Sequence, residues 1–157
     1  MIRDFSIERL QKDGLMGKFH IFSGISRMIQ ERLHNTIHFS CKFNEEARGY
    51  IAISIKDIED NSCVKFRPAN IADLDWIDID DNGEGCFATL GFIGPGAGKH
   101  TLNLNIGTSS ATCITKGVIV HELLHILGVS HEQVRPDRDN YMTVNWPNMK
   151  VILIYNM

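Results

Sequence analysis

His121-Glu122-Leu123-Leu124-His125-Ile126-Leu127-Gly128-Val129-Ser130-His131 is the stretch on which the reading of the whole chain turns. It lies in the most helix-like segment, Lys116 to Leu127. Thr115 offers a side-chain oxygen to cap the start of that helix, and Gly128 suits the left-handed turn that stops one. A helix advances about 100° per residue, so His121 and His125 stand about 40° apart on one face and can reach one metal ion. Glu122, next to the first histidine, is placed to hydrogen-bond a metal-bound water rather than the metal. The turn at Gly128 brings His131 back as a third ligand. Three protein nitrogens with one open position is the arrangement of a catalytic zinc, not of a closed structural one. The bland alternative is a set of surface or core histidines. The added spacing through Gly128 and His131 weighs against it, and one Zn2+ per chain is expected.

Around this segment the chain reads as one domain. It has 157 residues, 43% hydrophobic and 22% charged, which is enough for a real core. The net charge of -3 gives no electrostatic case for nucleic acid. No apolar run has the length of a bilayer span, so no membrane partner is expected. Met1 to Leu10 mixes Arg3, Asp4, Glu8 and Arg9 among apolar residues and lacks the core of a signal peptide. Cys41, Cys63, Cys86 and Cys113 form no CxxC pair, and residue types alone leave all their pairings open.

The spacing predicts helices at Ser26 to Leu33 and at Glu45 to Asp60. In the second, Ala47, Ile51, Ile55 and Ile58 fall on one face. Strands are predicted at Thr36 to Phe43, Val64 to Phe66, Trp76 to Asp80 and Thr101 to Ile106, the last as an edge strand. Asp81-Asn82-Gly83 marks a turn, and Phe92 to Lys99 is a loop rich in Gly and Pro. Mixed helices and strands in this order predict an α+β fold with a small twisted mixed sheet and an active-site helix.

His121 to His131 fits the HExxHxxGxxH signature of the metzincin metallopeptidases. The continuation, His131-Glu132-Gln133-Val134-Arg135-Pro136-Asp137-Arg138-Asp139-Asn140-Tyr141, resembles the astacin family, reading HExxRxDRDxY here. Cys63-Val64-Lys65-Phe66, Gly85-Cys86 and the region of Cys113 resemble that family more thinly. The likeness implies a secreted zinc metalloendopeptidase with a cleft between two subdomains. Its substrate would be a protein or peptide, and Glu122 would act as general base on a zinc-activated water. It also implies a disulfide between Cys86 and Cys113. An extended substrate would pair with the Thr101 to Ile106 strand, at Leu102, Asn103 and Leu104. Glu132 would pair with the amine of a processed N-terminus. Its plainer reading is a surface carboxylate paired with Arg135 or Arg138.

The likeness runs from Thr36 to Asn148. Residues 1–35 read as an N-terminal segment or propeptide remnant, 36–148 as a truncated peptidase domain, and Met149 to Met157 as a tail that matches nothing in the family. The family's Met-turn and zinc-side tyrosine are not found, and Met157 and Tyr155 do not take their places. Cys63 is expected to be free or to pair with Cys41. The alternative function is a catalytically impaired zinc-binding module for protein interaction, derived from such an enzyme. Two weaker signals are set aside. Asp78 to Gly83 starts like a calcium loop but has Thr89 where the bidentate Glu belongs. Gly94 to Thr101 (GPGAGKHT) resembles a phosphate loop but has Ile93 and His100 at required positions. His20, His34, His38 and His100 are expected to have ordinary roles.

Overall fold

The computed structural model describes residues 36–107 and 111–148. The predicted helix at Ser26 to Leu33, the tail from Met149 to Met157, His20 and His34 lie outside them. The described chain is a five-stranded mixed sheet with two α-helices, followed by three short 3-10 turns at Glu132–Val134, Arg138–Asn140 and Trp146–Asn148. The elements are β1 (Thr36–Phe39), α1 (Glu45–Asn61), β2 (Arg67–Pro68), β3 (Trp76–Asp80), β4 (Cys86–Ala88), β5 (Lys99–Leu104) and α2 (Lys116–Ile126). The strand order is β2-β1-β3-β5-β4. The first four strands of that order run parallel, and β4 pairs antiparallel with β5 at one edge.

β3 shows why the sheet has two unlike faces. Its alternation puts Ile77 and Ile79 into the core. Asp78 points the other way, where His38 Nδ1 stands 2.7 Å and Lys99 Nζ 3.0 Å from its carboxylate. The core joins Ile77, Ile79, Leu102 and Leu104 of the sheet to Ile51 of α1 and to Ile119, Leu123 and Ile126 of α2. The helices pack on each other, and Lys116 of α2 meets Asp57 of α1 at 3.2 Å.

Asn44 starts α1 by accepting the Ala47 N–H at 2.8 Å. Its buried face is Ala47, Ile51, Ser54 and Ile58. Ser54 takes the place expected of Ile55, because its hydroxyl is satisfied by the Tyr50 carbonyl at 2.8 Å and can be buried.

Three strand expectations are corrected. β1 stops at Phe39, since Arg48 takes the carbonyls of Ser40 and Phe43 for its guanidinium. Val64 to Phe66 is not a strand. The Phe66 N–H goes to the Glu59 carboxylate at the end of α1, and sheet pairing starts only at Arg67. The strand around Leu102, Asn103 and Leu104 is not an edge. It lies between β3 and β4 with all three residues buried, and β4 holds the edge. Asn103 tolerates burial because its side chain accepts the Asn82 N–H at 2.9 Å and donates to the Gly85 carbonyl at 2.7 Å.

Candidate metal centre and catalytic carboxylate

α2 is built to end at its histidines. Thr115 caps its first turn by accepting the Val118 N–H. At the other end Gly128 adopts φ +89°. The Gly128 N–H reaches the His125 carbonyl at 2.8 Å and the Val129 N–H reaches the Leu124 carbonyl at 2.9 Å. Bonds of this Schellman kind turn the chain sharply. His131 thereby comes back over the helix.

The Nε2 atoms of the three histidines form a small triangle. They are 3.0 Å apart for His121 and His125, 3.0 Å for His125 and His131, and 3.2 Å for His121 and His131. Tetrahedral zinc with bonds of about 2.0–2.1 Å spaces its nitrogens about 3.3–3.4 Å apart, so the donor set fits with a shift of a few tenths of an ångström. The His125 ring is fixed from behind, with Nδ1 2.7 Å from the Val129 carbonyl. That contact needs a proton on Nδ1 and so leaves the Nε2 lone pair free for a metal. Desolvation, then the neighbouring histidines, lowers the pKa of His121 and of His131, which favours the neutral form that a ligand needs. Among the described residues this is the one group of three or more such side chains able to share an ion.

Glu122 is 5% exposed, and its Oε2 is buried with no hydrogen-bond partner among the described residues. Burial pushes its carboxyl pKa up against the smaller opposing effect of His125. Among the described residues a buried carboxylate oxygen is thus left without a partner on the residue that follows His121.

Cys86 at the start of β4 is joined to Cys113 just before α2. Cys41 and Cys63 are both exposed and are not joined to each other. Glu132 pairs with Arg135 at 2.9 Å, the plainer of its two readings. Arg135 also grips Asp137 through two bonds of 2.8 Å and lies over the Tyr141 ring. The residues after His131 thus form a polar brace of their own. Sequence reasoning missed Gly91, whose N–H donates to the His125 carbonyl at 2.8 Å. The only signal for it was a glycine just before the predicted Phe92 to Lys99 loop.

The profile of the peptidase family described as Astacin matches residues 28–157, running past the expected 36–148 on both sides. The zinc metalloproteinase nas-13 of Caenorhabditis elegans is 39% identical over 121 residues, covering 77% of this chain and 24% of that protein. The seminal metalloprotease 1 of Drosophila melanogaster is 40% identical over 100 residues, covering 62% of this chain and 38% of that one. The solved structure of high choriolytic enzyme 1, a hatching enzyme zinc-protease of the medaka fish Oryzias latipes, matches with a TM-score of 0.66 and 32% identity. That match covers 77% of this chain and 56% of the other. The chain therefore spans about a quarter to just over half of these relatives. Fold, histidine triangle and profile agree: this chain belongs to the astacin family.

Proposed function

We propose that this chain carries the zinc-binding part of a metalloendopeptidase, with one Zn2+ on His121, His125 and His131 and Glu122 as general base. The observation that carries this reading is the Nε2 triangle of 3.0–3.2 Å, with the buried Oε2 of Glu122, the residue after His121, unpartnered among the described residues. Zinc held there supplies Lewis acidity, polarising a substrate carbonyl and acidifying water. Glu122 does the proton work. Its carboxylate accepts a proton as water attacks the peptide carbonyl and gives it to the leaving amine, with no covalent intermediate. Burial around Oε2 favours taking up that proton. His125 keeps its donor atom aimed through the Val129 carbonyl.

The peptide-docking role expected of Leu102, Asn103 and Leu104 passes to β4. As the antiparallel edge it has backbone groups on its outer side for an extended protein or peptide substrate. The Cys86–Cys113 bond suits an extracellular setting, where disulfides persist. Among the described residues no helix is long and apolar enough to cross a membrane. The peptidase unit is proposed to span 36–148.

The test is hydrolysis of a quenched-fluorescent peptide library by zinc-loaded protein. Glu122→Ala should lose roughly a hundredfold or more in rate while keeping its zinc. Metal analysis should give about one zinc per wild-type chain and almost none for His121→Ala. Zinc binding without wild-type turnover would overturn the enzyme reading and favour the protein-interaction module.

A further inference from the structure

We infer that Gly91 is a positioning residue for the metal centre, acting through its backbone N–H on the carbonyl of His125. The inference rests on the zinc reading above and concerns how the ligands are held. His125 closes the last turn of α2, where carbonyls lack helical partners. Its carbonyl is satisfied twice, by Gly128 N–H from its own turn and by Gly91 N–H from the loop between β4 and β5, each at 2.8 Å. The first bond is local and would form in any helix ending at Gly128. The second ties the ligand to a distant, independently anchored piece of backbone.

That piece is well held. Thr89 pairs with Thr101 of β5 through backbone and side chain, the Thr89 N–H at 2.8 Å and the Thr101 N–H at 3.0 Å. Past Gly91, the Phe92 ring stacks on buried His100, and the Ile93 N–H points at His100 Nε2 at 3.3 Å. Gly91 itself is buried with φ +67°. A Cβ on it would lie 3.4 Å from the Gly128 Cα and 4.0 Å from its nitrogen. Two glycines in left-handed conformations thus meet back to back. Their closeness lets the Gly91 N–H reach the turn that aims both His125 and His131. A side chain at 91 is strained by that φ, although its Cβ would meet Gly128 only at ordinary contact distance, and the strain falls on the segment whose N–H holds the His125 carbonyl.

Gly96 gives a matched control. It has φ +73°, lies in the same loop and has nothing within 4 Å of a built Cβ. Its N–H goes to Asp75, away from the metal centre. Gly96→Ala therefore strains the loop without touching the ligand turn.

The experiment compares wild type, Gly91→Ala and Gly96→Ala by chelator competition for Zn2+ and by the visible absorption of Co2+ as a probe ion. The melting temperature of each metal-free protein is measured beside them. Gly91→Ala should weaken zinc binding by roughly ten- to a hundredfold, as loss of ligand-orienting contacts does. It should also alter the cobalt bands, while Gly96→Ala lowers only the melting temperature. A third readout needs no variant: zinc should slow exchange of the wild-type Gly91 amide and leave the Gly98 amide, bonded to Asp75, unchanged. Equal zinc affinity in wild type and Gly91→Ala, or equal losses in both variants, overturns the inference. So does Gly91 exchange that ignores zinc, and this covers a Gly91→Ala chain that does not fold. Absence of metal binding by wild type overturns the zinc reading, and the positioning role with it.

Discussion

Asp75 does a job that its surroundings disguise. Its two carboxylate oxygens accept the N–H groups of Gly98 at 2.8 Å and Gly96 at 2.9 Å, closing the glycine-rich loop. Burial raises its pKa, but the Gly96 and Gly98 amides and the charge of His100 together outweigh that and hold it below its ordinary value. The unfolded chain therefore takes up this proton first as pH falls. The stabilisation is full above about pH 4 and fades as pH drops through the lower folded value. Asp75→Ala should cost about 1–2 kcal/mol in urea unfolding at pH 7. The gap from wild type should shrink at pH 2, and a gap equal at both pH values would contradict the assignment. At this scale the sequence was legible where side chains carry chemistry. The three histidines and Glu122 stand out by type and spacing. Gly91 and Asp75 do not, because each acts through backbone amides that no residue type announces.

Elements were legible in proportion to their length and caps. Both α-helices sit close to their predicted bounds: Thr115 and Gly128 marked the ends of α2 in the sequence, while the Asn44 cap of α1 emerged only in the structure. Asn44→Ala should therefore lose about 1 kcal/mol. Ile51→Ala, at a fully buried position of α1, should lose about 2–4 kcal/mol by leaving a cavity. Both are read as shifts in denaturant midpoint, and a smaller loss at Ile51 than at Asn44 would count against the packing described. Strands were harder. β4 has three residues and β2 has two, too few to show a period. The alternation of Thr101 to Ile106 announced a strand but could not say whether another strand lay outside it. That depended on β4 and on the bonds Asn103 makes to Asn82 and Gly85.

For the whole molecule, the α+β class follows from the mixture of helices and strands, whereas the order of strands in the sheet does not. Local pattern says nothing of which strand lies beside which. That order, β2-β1-β3-β5-β4, carries a consequence for time rather than stability. Neighbours in its middle are far apart in the chain: His38 of β1 lies opposite Asp78 of β3, 40 residues on. Parallel pairing allows no hairpin shortcut, so each central pairing must wait for a long loop to close. The histidine triangle spans only His121 to His131 and has almost no loop to close. Refolding of the metal-free, disulfide-intact chain should thus take milliseconds to seconds in stopped-flow fluorescence, and a microsecond phase with the full amplitude would rule this out. The ligands can meet early in folding, but the backbone that steadies them arrives with the slow assembly of the sheet.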